Sequence, residues 1–258
     1  MGYLKITMVG TGNMATQLSL ALEDAGHQVK EIYGRDIEKA SLLASNLYEA
    51  SATDSLDFSE SDVDLIIIAV SDDAIDFISL EIIVPPSAML VHTSGSKPLG
   101  VITNATPNCG VFYPLQSISV GRKLNWKNIP ICIQANDEEG LVMLQDLAGT
   151  LTPLVASLTE IQRQTVHLAA VFVNNFGNHL LLLAKNLLDN EGVEAEILRP
   201  LAEETIEKAY SIGPEEAQTG PAIRRDATTI HRHIQYLSAN PELKQIYQML
   251  SGSIQRNN

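Results

Sequence analysis

The sequence predicts a chain in two parts: a doubly wound α/β domain built on a parallel sheet, then an all-helical domain. Three observations carry this reading. A glycine-rich turn joins an apolar run to a helical pattern near the N-terminus, strand-like and helix-like segments alternate as far as Ser157, and only helical periodicity follows Thr159. The boundary is expected near residue 158, giving domains 1–158 and 159–258.

Each element has its own signal. Leu4–Val9 is a short apolar run of β type, and the turn Gly10-Thr11-Gly12-Asn13-Met14-Ala15 leads into a helix with Leu18, Ala21, Leu22 and Ala25 on one face. Gly26 stands where a left-handed C-cap is expected. Gln28–Tyr33 reads as the second strand and Ile37–Leu47 as the next helix. The run Asp64–Val70 is apolar, as a parallel strand covered on both faces requires. Ala88–His92, Gly110–Tyr113 and Ile129–Gln134 follow as strands, then a helix over Asp137–Gly149 and a last short strand, Leu154–Ser157. Beyond it, helices are expected over Glu160–Asn190, Ala195–Ser211, Pro221–Ser238 and Pro241–Ile254. Gly192, Gly213-Pro214, Gly220-Pro221 and Asn240-Pro241 punctuate them.

Composition narrows the function classes. The 258 residues are 45% hydrophobic and 19% charged, as in an ordinary globular chain. A net charge of −14 disfavours nucleic acid and anionic membrane as partners. Cys109 and Cys132 have neither metal nor redox spacing and read as reduced thiols, and no metal site is expected. The N-terminus shows no secretory pattern, and Ile6 stands where a myristoylation signal needs Ser or Thr. The most apolar stretch, Leu168 to Leu188, holds Asn174, Asn175, Asn178, His179 and Lys185, too many polar groups for a spanning helix. A cytoplasmic protein is expected.

The Gly10-x-Gly12-x-x-Ala15 spacing between strand and helix is a dinucleotide-binding signature. Gly10 makes the tight turn, Gly12 lets backbone approach a pyrophosphate, and Ala15 lets the helix sit close to the sheet with its N-terminus facing the phosphates. Thr11, Asn13 and Met14 complete the loop. At the end of the second strand, Tyr33-Gly34-Arg35-Asp36 places an arginine where a 2′-phosphate would lie, which favours NADP(H). Asp36, displaced by a residue or two, is the competing ribose ligand that would favour NAD(H). Ligands of doubly wound sheets sit beyond the carboxyl ends of the strands, so Val70-Ser71 and Thr93-Ser94-Gly95 should flank the cofactor. Ser71 is equally readable as a helix N-cap.

Other polar residues are candidates for substrate and proton chemistry. His92 and Tyr113 end strands on the ligand side. His167, Asn174 and Asn178, at spacings of seven and four, share one face of the long helix. Arg224, near the start of the Pro221 helix, could hold an anionic substrate or, through Asp226, fix a domain interface. Ile223, Ala227, Ile230, Ile234 and Leu237 make that helix's buried stripe.

These motifs together resemble a known group. The Gly10–Ala15 turn is similar to the nucleotide loops of pyrroline-5-carboxylate reductase and the β-hydroxyacid dehydrogenases. Across nearly the whole chain the sequence resembles Rossmann-like proteins with a helical C-terminal domain of unknown function, assigned as NADP-dependent oxidoreductases. The resemblance rests on His92-Thr-Ser-Gly95, Tyr113-Pro-Leu-Gln116, the His167…Asn174-Asn175 helix and Thr219-Gly-Pro-Ala-Ile-Arg-Arg-Asp226. It departs at Tyr113, where many relatives have histidine. Ala170, four before Asn174, replaces the lysine of the β-hydroxyacid dehydrogenases. The Ser/Gly-rich helix turn of pyrroline-5-carboxylate reductase is missing too.

The expected activity is hydride transfer between NADP(H) and a small carbonyl, imine or alcohol substrate in the cleft between domains. His167, then His92, is the expected proton donor, with Asn174 orienting substrate, Tyr113 and Asn178 lining its site, and Arg224 binding an acidic group. The rival reading is a non-catalytic NADP(H)-binding sensor or scaffold. A Ser94 hydrolase ranks third, since the glycines of a nucleophile elbow are absent. Leu180–Ala184 and Leu187-Leu188 are more apolar than one solvated face requires, so a homodimer through the C-terminal helices is expected.

Overall fold

The computed structural model describes residues 2–119, 121–122 and 124–257 and divides into two compact units, Met1–Asn175 and Phe176–Asn258. The first unit runs β1 (Lys5–Val9), α1 (Asn13–Asp24), β2 (Gln28–Tyr33), α2 (Ile37–Ala44), β3 (Ser51–Thr53), β4 (Leu65–Ile68) and α3 (Asp72–Glu81). It continues with β5 (Met89–His92), β6 (Cys109–Pro114), β7 (Ile131–Ala135), α4 (Glu138–Leu151), β8 (Val155–Ser157) and α5 (Glu160–Ala170).

All eight strands join one sheet in the order β3-β2-β1-β4-β5-β6-β7-β8. The chain starts at β1, winds outward to β3, then crosses back to β4, so the strand order reverses beside β1. Ligands of such sheets lie outside the strand ends at that reversal. The sheet is not parallel throughout: β7 runs antiparallel to β6, and β8 follows β7. Among the described residues, the segment between β6 and β7 carries only a 3₁₀ turn at Trp126–Asn128. With no crossover helix there, β7 returns beside β6 in the opposite direction.

Successive residues of each central strand feed opposite faces. Leu65 and Ile67 pack with Ile6, Met8, Leu18, Leu22 and Leu144, whereas Ile66 and Ile68 pack with Val9, Ile75, Ile78 and Ile102. Both faces are therefore covered by helix, which is why β4 reads as an unbroken apolar run. Leu65, Ile66, Ile67 and Ile68 are all fully buried, each contributing about 1.5–3 kcal/mol. Gly26, at φ +91, follows the α1 C-cap as expected. The next residue, His27, ties distant parts together: its Nδ1 accepts from the Leu4 amide at 3.1 Å and its Nε2 meets Thr150 Oγ1 at 3.1 Å.

α5 opens with a full capping box between Thr159 and Gln162. It is docked on the sheet's loops through Arg163, Gln164 and Glu160, which bond Ser94, Gly95, Ser96 and Leu99. That docking places α5 with the first unit. After α5 the backbone forms a π-helix over Val171–Phe176 before α6 (Gly177–Asp189). By length and composition alone, Glu160–Asp189 is apolar enough to cross a membrane, yet Arg163 within it is wholly enclosed by protein.

The second unit continues with α7 (Arg199–Ile212), α8 (Pro214–Ala217), α9 (Ala227–Tyr236) and α10 (Pro241–Asn257). The expected Pro221 helix starts later than its proline. Arg225 adopts φ +52, which interrupts the helix, and Asp226 is the true N-cap, accepting from the Thr229 amide at 3.0 Å. Of the stripe expected along it, only Leu237 is buried in the single chain, and Ala227 is exposed.

Candidate functional site

The ends of β1, β2 and β4 build a cleft of about 670 Å³ lined by Gly10–Met14, Tyr33–Arg35, Ala69–Ser71 and the first turns of α3. Gly10 sits at φ +131, and a Cβ there would stand 2.4 Å from the Ala69 carbonyl oxygen. Only glycine allows β1 to turn this close to β4. Gly12 has ordinary extended backbone, and a Cβ on it would meet nothing within 4 Å. Its smallness serves no contact inside the protein; it keeps space open at the start of α1. No side chain caps α1, which leaves its leading amides and positive dipole end for an anion. Ala15 is fully buried in the core.

A recess of about 310 Å³ adjoins the cleft, lined by Thr11, Arg35, Asp36 and Lys39. Asp36 is committed locally. It caps α2 by accepting from the Glu38 and Lys39 amides, both at 3.2 Å, and pairs with Lys39 Nζ at 3.3 Å. The Lys39 bonds, amide first, hold its carboxyl below the usual carboxylate range. Arg35 is exposed and makes no ion pair among the described residues. Ser71 occupies the α3 N-cap position without a capping bond from its hydroxyl and stays exposed on the cleft wall.

The loop after β5, expected to flank the cofactor, is not part of this cleft's lining. Thr93 is buried with its hydroxyl on the Ile68 carbonyl at 3.3 Å. The Ser94 hydroxyl accepts from the Ser96 and Lys97 amides at 3.1 and 3.0 Å. Ser96 in turn donates to Asp72. Ser94 has no base: His92 Nδ1 accepts from its amide at 3.2 Å and makes no bond to its hydroxyl. This geometry overturns the hydrolase reading. His92 itself is fully enclosed, so it fixes the loop and does not reach a ligand.

Burial, reinforced by the Arg163 charge, pushes His92 down to about 4. Asp72 and Lys97 act on it with opposite signs, and the Pro98 carbonyl offsets burial without completing a hydrogen bond to Nε2. The folded protein therefore keeps this ring neutral. As pH falls from about 6.5 through about 4, the unfolded chain takes up the proton first and stability is lost, by about 3 kcal/mol in full. Urea midpoints at pH 7 and pH 4 should fall further in wild type than in His92→Gln. Equal losses would refute this assignment.

Arg163, which pattern reasoning missed, organises the site. Its guanidinium is fully buried, and Nη1 donates to the carbonyls of Ser94 and Gly95 at 3.0 and 2.9 Å. One turn further along α5, His167 Nδ1 lies 3.0 Å from the Tyr113 hydroxyl, the rings meeting edge to face at 66°. Gly95 leaves the room for this pair. A Cβ there would stand 2.6 Å from both His167 Nδ1 and Tyr113 Cζ. Burial pushes the Tyr113 hydroxyl up to about 12, with Cys132 and Asp72 adding to the rise and Arg163 opposing it.

The remaining candidates lie on other elements. The π-helix breaks the α register on which His167 and Asn174 were counted, so the two do not share one straight helix face. Asn174 and Asn178 are both exposed, the latter in the second unit. Arg224, also in that unit, is exposed and unpaired among the described residues, and Asp226 serves as a cap. Among the described residues no group of three or more His, Cys, Asp or Glu is gathered as a metal site would need.

The reversal of strand order and the glycine cleft define a Rossmann-type dinucleotide-binding protein. Comparison with known families agrees. Residues 5–89 match the family described as "NADP oxidoreductase coenzyme F420-dependent", and residues 129–254 match "Domain of unknown function (DUF2520)". A Bacteroides fragilis protein assigned as an NADP oxidoreductase is 36% identical over 98% of both chains, with a TM-score of 0.89. The chain thus belongs to the NADP oxidoreductases that carry a DUF2520 domain after the Rossmann domain. More distant structures share the fold: a Thermotoga maritima protein is 21% identical over 97% of each chain, TM-score 0.75. The reductive aminase from Aspergillus terreus, in complex with NADPH and ethyl levulinate, is 16% identical over 98% of this chain and 93% of its own, TM-score 0.71. No curated protein matches the sequence significantly.

Proposed function

We propose that the protein uses NADP(H) to move hydride to or from a small carbonyl, imine or alcohol substrate. The observation that carries this reading is the recess at Thr11, Arg35 and Lys39 beside the glycine cleft. Two cations, Arg35 and Lys39, line it with a carboxylate already engaged as a helix cap, which suits a 2′-phosphate and leaves no free acid for a 2′-hydroxyl. When bound, the nucleotide supplies the redox chemistry. The chain's part is to hold the pyrophosphate at the Gly10–Ala15 turn, to hold the 2′-phosphate with Arg35 and Lys39, and to supply a proton from His167.

Calorimetric titration tests the cofactor. NADPH should bind at least tenfold tighter than NADH, and Arg35→Ala or Lys39→Ala should weaken NADPH roughly tenfold while leaving NADH almost unchanged. Equal or tighter binding of NADH overturns the preference. A panel of carbonyl and imine compounds, followed by NADPH absorbance, then tests the reaction. Binding with no turnover across the panel would favour the non-catalytic sensor.

The reading includes a homodimer through the C-terminal helices of a cytoplasmic protein. Leu180, Leu181, Leu182, Leu201, Ile206 and Tyr210 are exposed on the single chain, and Ala222 and Leu237 are the only buried apolar residues described after Phe176. A second copy would cover these faces, in preference to lipid or nucleic acid given a net charge of −14. Light scattering should give about twice 28.1 kDa; a monomeric mass would overturn it.

A further inference from the structure

We propose that Tyr113 is a positioning residue for proton transfer: its hydroxyl fixes His167 as the tautomer with hydrogen on Nε2. The inference rests on the reading of His167 as the proton source. It begins from a buried O–H that needs an acceptor. Among the described residues, His167 Nδ1 at 3.0 Å is the one hydrogen-bond partner of that hydroxyl. A phenol keeps its proton throughout the working range, the more so here because burial raises its pKa to about 12. Nδ1 therefore accepts, and a neutral ring must carry its hydrogen on Nε2.

Three ionisable groups act on the same hydroxyl. Arg163 lies on α5 one turn before His167, is fully buried, and forms no ion pair among the described residues. Its charge alone opposes the rise in the Tyr113 pKa. The other ionisable groups acting on Tyr113 are Asp72 at the start of α3 and Cys132 on β7. Both disfavour a phenolate, so Tyr113 stays a donor at rest. Nε2 has no hydrogen-bond partner among the described residues, and His167 is only partly buried. It is the nitrogen left to face a substrate.

The proton balance follows. As negative charge develops on the substrate's oxygen or nitrogen, that atom takes the Nε2 proton. Tyr113 passes its hydroxyl proton to Nδ1, so the ring ends neutral. The phenolate left behind lies within the field of the Arg163 guanidinium, which favours it; it takes its proton back from Nδ1 as water reprotonates Nε2, which restores the resting tautomer. Gly95 and Arg163 hold the geometry, the first by leaving space and the second by anchoring α5 to the Ser94–Gly95 carbonyls.

Histidine-selective ¹⁵N NMR on the nucleotide-free protein tests the assignment without a substrate. Wild-type His167 should show the Nε2–H tautomer at neutral pH, and Tyr113→Phe, which keeps the ring and loses the hydroxyl, should show a mixture. An Nδ1–H tautomer in wild type, or an unchanged one in Tyr113→Phe, overturns the proposal; the wild-type measurement stands even if the variant folds poorly. With any compound that turns over, Tyr113→Phe should lower kcat roughly tenfold to hundredfold with the NADPH Kd within twofold. A kcat within threefold of wild type overturns the positioning role alone. Wild-type protein that turns over nothing, yet shows the Nε2–H tautomer and its loss in Tyr113→Phe, overturns the proposed reaction and supports the pairing.

Discussion

Replacing Gly10 by alanine is expected to cost the protein its fold, whereas the same change at Gly12 should cost only the cofactor. At Gly10 two penalties add. The backbone lies at φ +131, where an L residue is strained by about 1–3 kcal/mol. The new methyl would also stand 2.4 Å from the Ala69 carbonyl oxygen, inside a packed turn between β1 and β4. Such overlap costs another ~1–3 kcal/mol. The sum is a large share of the ~5–15 kcal/mol that a domain usually has. At Gly12 neither penalty exists, since nothing lies within 4 Å of the added carbon. Gly12→Ala should melt with wild type and bind NADPH roughly tenfold to hundredfold more weakly, by filling the space a pyrophosphate needs. Thermal melts and calorimetry on both variants decide it; a Gly10→Ala protein as stable as wild type would sink the argument.

The second large effect is expected at Gly95, where stability and chemistry should separate. Its backbone is unstrained, so alanine adds only an overlap, but the overlap falls on both members of a hydrogen-bonded pair. With 2.6 Å to His167 Nδ1 and to Tyr113 Cζ, at least one ring must move by several tenths of an ångström. The expected cost to folding is about 1–3 kcal/mol. Misplacement on the scale of an ångström can slow a positioned reaction about 100-fold. Gly95→Ala should therefore fold, bind NADPH as wild type does, and lose roughly two orders of magnitude in kcat. Ser94→Ala is the control, because its hydroxyl bonds only its own loop. Undiminished turnover by Gly95→Ala would mean that the Tyr113–His167 contact has no part in catalysis.

The α/β half was legible because its signals are local. The glycine turn, the Gly26 cap and the apolar runs of β1, β4 and β5 need nothing from distant residues. β3 escaped because Ser51–Thr53 is short and not buried, held by pairing to β2 without a core. The reversal of β7 escaped because strand direction depends on a connection, and no residue within Ile131–Ala135 records it. The place of Gly10–Met14 and Arg35 along one cleft was readable for the same local reasons. Lys39 was not, because its nearness to Arg35 arises from the turn that Asp36 caps.

Arg163 shows the harder kind of omission. Arginine is almost never fully buried, so periodicity assigns it to solvent; its position four before His167 was the one available signal. His92 fails the opposite way, a polar residue at a strand end that the fold encloses. The π-helix leaves no trace in composition, yet it shifts the register on which the His167 and Asn174 face was counted. Asp226, read as a partner for arginine, is instead the cap of α9.

The His27 bridge makes a single amide into a gauge of how the sheet frays. While the ring is neutral, Leu4 N–H is locked by Nδ1, and the same ring reaches Thr150 near the end of α4. Burial holds the ring's pKa below its ordinary value, so the lock persists into mild acid. Once the proton arrives on Nδ1, the acceptor is gone and two N–H groups face each other. Solvent exchange at Leu4 should then quicken while amides deep in β4 stay protected. Exchange at Leu4 followed against pH would read the state of a histidine that takes no part in lining the cleft.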